Sequence, residues 1–386
     1  MTETRRPLVS VVCAAYQRSS AIVPTVKSVL AQSFGDFELI VALDGCTDDT
    51  GHWVTSASQG DPRVRLLELP RFGHPAGPRN AAAKLAKGEY IAYVDHDDLW
   101  DVGHLAETVG LVKSGVDVAA TALRTVDRHG RRTGGSADAA MCWHPMLQVL
   151  APLFQPSVVV HRRDLVAQVG GWYHGPGLED WDLWWRFAEA GASTATSLAV
   201  SATVMIDANT RRHRIPRPHV MPIARFATAA AAASALIELR QFAFSERAIE
   251  AVTADLYALY AYLVADRRFV WPQGWDERYP RTAAALVGAL QASDSGVVTG
   301  WSDGLIVVPR QGSYIVAAPL WVARAQHALQ VRRLTASAYP RLIAGLRAHC
   351  HRLGGTLALE PAWKPAGVKR TPLPVSPVDQ RKGVRV

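Results

Sequence analysis

The run Tyr90-Ile91-Ala92-Tyr93-Val94, followed at once by Asp95-His96-Asp97-Asp98, constrains this chain more than any other stretch. Its apolar, β-branched and aromatic residues predict a buried strand, which breaks abruptly into three carboxylates within four positions. In an open α/β sheet, ligands bind in the crevice beyond the carboxyl ends of the strands. Acids delivered there face the ligand. Carboxylates this close repel one another unless protons or a cation intervene, and a hard divalent ion shared with ligand phosphates is the usual solution. An acidic loop capping the next helix explains the same residues without a ligand, because Asp favours N-caps. The flanking segments decide between the two.

Upstream, Leu8 to Ala15 is a nearly continuous apolar run and reads as a central strand of a mainly parallel sheet. Ser19 or Ser20 caps a helix over residues 21–31. Phe37 to Leu43 predicts a second strand, ending in the loop Asp44-Gly45-Cys46-Thr47-Asp48. Arg63 to Leu69 predicts a third strand, and Arg79 to Lys87 a short Ala-rich helix closed by Gly88. Strand, helix, strand, helix, strand is a βαβ series. The expected fold class is therefore α/β, with a Rossmann-like, mainly parallel sheet followed by a mainly helical C-terminal domain.

With 386 residues there is room for two or three domains. Hydrophobic residues at 49% and charged residues at 20% place the chain among ordinary globular proteins. Cys13, Cys46, Cys142 and Cys350 have neither metal nor disulfide spacing, which predicts reduced thiols and a cytoplasmic setting. The N-terminus has no apolar core of a secretory leader, and no apolar run reaches the length of a transmembrane segment. The net charge of +8 permits an anionic ligand or peripheral contact with a membrane surface. Basic residues form no stripe with interleaved aromatics, so no nucleic-acid partner is expected.

Taken in order, seven segments carry a resemblance: Val9-Ser10-Val11-Val12 through Tyr16-Gln17-Arg18, Ser28 to Phe34, Asp36 to Val41, Asp44 to Asp48, Gly77-Pro78-Arg79-Asn80, Gly88 to Ala92, and Asp95-His96-Asp97-Asp98. Together they resemble the nucleotide-binding half of the GT-A glycosyltransferases of family 2. The resemblance implies a nucleoside-diphosphate sugar donor. Ala15, Tyr16, Arg18 and Asp44 would surround the nucleobase and ribose, with Arg71, Arg79 and His96 also at the nucleotide. Asp95 would meet the ribose or the metal. Asp97 would bind Mn2+ or Mg2+ bridging the diphosphate.

Further on, Gly170-Gly171-Trp172 and Leu178 to Arg186 resemble the family's Glu-Asp segment, in which the second acid is the general base. This assigns Asp180 as base, with Glu179, Trp181 and Asp182 on the acceptor side. A single displacement with such a base inverts the anomeric configuration. The residues themselves agree: acids crowded beside Trp181, Trp184 and Trp185 are partly desolvated, which raises a carboxyl pKa toward the working range of a base. An amphipathic helix with acids in its first turn and tryptophans in the core accounts for the same pattern. On a helix starting here, Asp180 and Asp182 point to different faces, so Asp182 is expected to cap or orient.

Three departures cluster at the base-recognition edge. Ala14-Ala15 replaces the family's Pro-Thr, Leu43-Asp44-Gly45-Cys46 replaces Asp-Asp-Gly-Ser, and Arg71 stands where many relatives have asparagine. They weaken the default expectation of a uridine nucleotide and favour thymidine or guanosine.

Ser193 to Ile206 predicts one more strand. Asn209 to Arg217 resembles the family's Arg-x-His segment, from which Arg211 would reach the diphosphate and His213 the diphosphate or the metal; a solvated basic linker explains it equally. The expected domains are 1–218, catalytic; 219–360, mainly helical with a β-hairpin near 305–317; and 361–386, a basic tail containing proline. Residues 223–244 and 246–264 read as Ala-rich helices, forming a small subdomain or a homodimer contact. Phe269 to Trp275 reads as an aromatic docking surface or a boundary. The acceptor, whether saccharide, natural product or peptide, is left open. A nucleotidyltransferase acting on sugar phosphates would need a Gly-rich phosphate loop, which Ala14 to Ser20 lacks. A non-catalytic nucleotide-sugar or carbohydrate-binding module would not need both Asp97 and Asp180.

Overall fold

The computed structural model describes residues 6–150, 153–173, 179–206, 222–228, 260–292, 306–310, 313–317 and 354–359, with a few further positions between 230 and 352. A nine-stranded sheet carries the site. Its first half forms as the apolar runs predict. Strands β1 (Val9–Ala15), β2 (Phe37–Asp44), β3 (Val64–Leu69) and β4 (Tyr90–Tyr93) lie in the order β3-β2-β1-β4, all parallel. Helices α1 (Val23–Leu30), α2 (Thr50–Ser58) and α3 (Ala76–Leu85) make the crossovers. β1 and β2 are almost wholly buried, as strands covered on both faces must be. Gly88 is needed where the chain re-enters the sheet: a Cβ there would lie 2.5 Å from the Ser10 nitrogen. Its amide instead donates to Ser10 Oγ at 2.8 Å.

The second half is mixed. It contains β5 (Leu99–Trp100), α4 (His104–Val112), β6 (Val118–Val126), β7 (Arg132–Gly135), α5 (Pro145–Leu150), β8 (Val159–Arg162), α6 (Arg163–Gln168), α7 (Glu179–Glu189) and β9 (Thr194–Met205). The order continues from β4 through β8, β6 and β9 to β5, with β7 paired to β6. β8 runs antiparallel to β4 and β6, while β6 and β9 are parallel. The strand expected within 193–206 is β9, and the α/β class is as expected.

A block of aromatic rings fastens α7 to the sheet. Trp172 meets Tyr93 edge-on at 4.9 Å and Trp184 at 5.5 Å, and Phe187 lies 4.9 Å from His161. The Trp172 indole N–H donates to the Tyr93 hydroxyl at 3.0 Å, and the Trp184 indole N–H to the Phe154 carbonyl at 3.1 Å. Such rings each remove roughly 150–250 Å2 from water, and their polar atoms here keep partners. Trp184 and Phe187 share one helix face, which fixes where the first turn of α7 emerges.

Beyond residue 206 the structure departs from the sequence reading in two places. Pro222–Phe226 is a strand, β10, where the sequence suggests a helix starting at Ile223. It pairs antiparallel with β12 (Ser313–Ala317) and β13 (Thr356–Leu359), and β11 (Ile306–Arg310) completes a four-stranded sheet with β12 as its hairpin partner. Partners that distant in sequence override local helical propensity. The second place is Phe269 to Trp275, which is no free docking surface. Trp143 and Val270 exchange both backbone hydrogen bonds, at 3.0 and 2.8 Å, and Gln273 bonds Thr196 and Leu198 of β9. Trp275 is fully buried. The 270–275 segment therefore bonds to β9 and to Trp143, and helix α8 (Ala283–Ala292) packs on the Asp138–Met141 turn, partners that all precede the boundary expected at 218. The segment 209–217 with Arg211 and His213 and the tail from 361 lie outside the described residues. Among the described residues, no helix is long and apolar enough to cross a membrane.

Candidate active site

The carboxyl ends of β1, β2 and β4 open onto one crevice, and the sequence-predicted residues line it in two groups. The first surrounds β2. Asp44 ends the strand with its carboxylate nearly buried. The Phe72 amide donates to its Oδ1 at 2.5 Å, the Gly73 amide donates to its Oδ2 at 3.1 Å, and Arg71 ion-pairs with Oδ2. The Arg71 guanidinium lies 3.4 Å over the centre of the Tyr16 ring, which is half exposed. Ala15 is buried at the end of β1 and offers only backbone, its carbonyl 3.6 Å from Cys46 Sγ.

The second group follows β4. Asp97 ion-pairs with Arg18, and the two side chains keep 31% and 33% of their surface. Asp95 accepts from Arg79 at 2.7 Å and keeps 34%. Asp98 turns the other way: it is buried, accepts from Ser157 Oγ at 2.5 Å and from the Met205 amide at 3.3 Å, and ties β9 to the acidic loop. Burial, with Asp95 and Asp97 beside it, pushes its carboxyl well above the ordinary carboxylate range. His96 is turned inward: burial holds its imidazole pKa below the ordinary value although Asp97 opposes this, and its ring engages the Ala14 backbone.

Arg79 differs from expectation too. On the second turn of α3 its side chain is only 5% exposed, so it does not face a nucleotide. It spans from Asp95 to Glu179, whose Oε1 is 3.4 Å away, and its guanidinium covers the Trp172 ring at 4.4 Å. Burial works against its charge; Asp95 and Glu179 outweigh that and hold its pKa above the ordinary value. Glu179 is thereby committed to Arg79, with His74 Nε2 at 3.8 Å from its other oxygen, and is not free to hold an acceptor. Trp181 is likewise in the core: its indole N–H donates to the Gln148 carbonyl at 2.7 Å, so it presents no face to an acceptor. Asp182 accepts from Arg186 Nε at 3.0 Å and Nη2 at 2.8 Å on the neighbouring face of α7. Asp180 remains. Half-buried by area, it bonds the Trp181 amide at 2.8 Å. Burial first, then the adjacent Glu179 charge, push its carboxyl up to about 6, against the Trp181 amide and Arg79.

Ser157, His74 and the 71–73 loop carry much of this geometry, and the sequence offered little warning of them. Ser157 accepts the Asp95 amide at 3.0 Å while donating to Asp98, yet lies in no motif. Among the described residues, no three His, Cys, Asp or Glu side chains converge as a ready metal cage. The oxygens of Asp97 and Asp95 nevertheless fit a hard divalent cation of the Mg2+ kind, which typically takes one or two carboxylates and completes its shell with phosphate oxygens and water.

Comparison with known proteins agrees with the motifs. Residues 10–159 match the sequence model described as Glycosyl transferase family 2. One relative, the Escherichia coli UDP-Glc:alpha-D-GlcNAc-diphosphoundecaprenol beta-1,3-glucosyltransferase WfaP, is 41% identical over 93 residues, 24% of this chain and 36% of the relative. The succinoglycan biosynthesis protein ExoO of Rhizobium meliloti is 33% identical over 159 residues, 41% of this chain and 44% of the relative. The chain thus spans less than half the length of these relatives. Among solved structures, S. aureus TarS 1-349 in complex with UDP-GlcNAc aligns with a TM-score of 0.47 and 20% identity over 53% of this chain and 60% of that one.

Proposed function

We propose that this protein is an inverting glycosyltransferase that moves a sugar from a nucleoside-diphosphate sugar to an acceptor nucleophile, with Asp180 as general base. One observation carries the reading. At the start of α7 a single carboxyl stands without a cationic side chain bonded to it among the described residues, raised to about 6, and Arg79 ties its neighbour Glu179 to the donor-side acid Asp95. A base poised near neutrality combines the ionised form with a useful affinity for the proton.

Asp97 would hold Mn2+ or Mg2+ with Asp95 beside it; a bound divalent cation supplies neutralisation for charge on a departing diphosphate. Arg18, already paired with Asp97, adds a fixed positive charge at the same place. Tyr16 and Arg71 form the base end of the donor site. Asp180 accepts the proton of the acceptor as that atom attacks the anomeric carbon. Arg79 holds the two halves of the site in register, and Asp182 braces α7 through Arg186.

The Asp180→Asn variant tests this. kcat should fall by about 10²–10⁴, with nucleoside diphosphate affinity unchanged because the donor residues stand at or just beyond the ends of β1 to β4. Near wild-type turnover, or a product that keeps the donor's anomeric configuration by NMR, overturns the mechanism.

A further inference from the structure

We propose that Arg71 makes this protein select a guanosine diphosphate sugar, by donating to the two acceptors on the edge of the guanine base. The inference rests on the donor-binding reading above and adds the identity of the base.

Asp44 is the carboxylate that ends β2 beside the crevice, but its acceptor capacity is consumed from within. The Phe72 and Gly73 amides and the Arg71 guanidinium take both oxygens, and the side chain is only 5% exposed. The 71–73 loop cannot easily lift away to free it. Gly45, at φ +62°, lets that loop lie directly on the end of β2: a Cβ at this position would come within 2.7 Å of Arg71 Cβ and 2.8 Å of its Cα. The Gly45 amide also bonds the Leu69 carbonyl at 2.9 Å. Asp44 is therefore not available to receive an N–H from a base. Uracil and thymine each present an N–H between two carbonyls, so neither offers two adjacent acceptors to a fork that only donates.

Arg71 offers the reverse. Its side chain is 42% exposed and spends Nη1 on Asp44. Among the described residues its Nε–H and Nη2–H have no acceptor, and both remain for a ligand. The Tyr16 ring beneath it keeps the guanidinium plane from swinging freely. A planar fork with donors only matches an edge with acceptors only. Guanine provides one in O6 and N7, whereas adenine places a donor beside its N7. A lysine ammonium could supply the charge but not the fork.

Isothermal titration of the full chain in Mn2+ buffer with GDP, UDP, dTDP and ADP tests the proposal. GDP should bind at least about tenfold more tightly than the other three. Arg71→Gln and Arg71→Lys should each abolish the preference for GDP over UDP. UDP, dTDP or ADP binding as tightly as GDP to the wild type overturns the inference, and so does a GDP preference that survives in both variants. The wild-type comparison decides even if a variant fails to fold. If none of the four binds, the donor-site reading itself falls; if UDP binds best, only the choice of base falls.

Discussion

The two sides of the crevice use the same residue type in opposite surroundings. On the donor side, Asp95 and Asp97 keep about a third of their surface and each faces an arginine. On the other side, Asp180 begins a helix seated on buried tryptophan rings, and its carboxyl is pushed up to about 6. Carboxylates that keep solvent exposure suit cation binding; an enclosed one suits proton transfer. Environment, more than residue identity, divides the work.

If that division is right, each side should fail in its own way. The largest effect is expected from Asp97→Asn. Activity with Mn2+ or Mg2+ should drop by about 10²-fold or more, and the rise in melting temperature given by GDP with Mn2+ should disappear. The pH dependence of any residual kcat should stay as in the wild type. A variant with normal metal response would erase the contrast between the two sides.

Arg79→Gln comes next, because this residue joins them. Glu179 would be left buried without its countercharge, a loss of about 3 kcal/mol in thermal or denaturant unfolding. The Arg79 charge favours ionised Asp180, so its removal raises that pKa further and the basic form appears only at higher pH. The acid limb of kcat, expected near pH 6 in the wild type, should therefore move upward. A limb that stays or moves down would show that Arg79 does not act on Asp180.

The smallest effect belongs to Asp182→Asn. It removes an i,i+4 pair with Arg186, worth about 0.5 kcal/mol, and kcat should not change. A dead Asp182→Asn beside an active Asp180→Asn would shift the base by two residues.

How much of this was readable in the sequence follows from what each element depends on. β1, β2 and β4 are buried on both faces, so their apolar runs announce them, and polar residues at their ends mark the crevice. Helix geometry separates Asp180 and Asp182 onto different faces, while the choice between them as base came from the resemblance. Arg79, Glu179 and Trp181 could not be placed, because a charged or aromatic residue beside a motif looks the same whether it faces ligand or core. Their roles depend on partners such as Asp95, sixteen positions from Arg79, and Gln148, thirty-three from Trp181. β10 was read as helix for the same reason, since its partners are β12 and β13.

The clamp between Trp143 and Val270 has a consequence for how the protein is made. Those two residues, and Gln273 with β9, are far apart in sequence, yet their backbones complete one another. A ribosome adding about 5–20 residues per second needs on the order of ten seconds to pass from one to the other. In the later part of that interval, Trp143 and then the Thr196 to Leu198 stretch of β9 stand outside the tunnel with open hydrogen-bonding groups. Unfilled strand backbone of that kind recruits neighbouring nascent chains. On polysomes this half-built edge is therefore where a holding chaperone would matter most, until Phe269 to Trp275 arrives to close it.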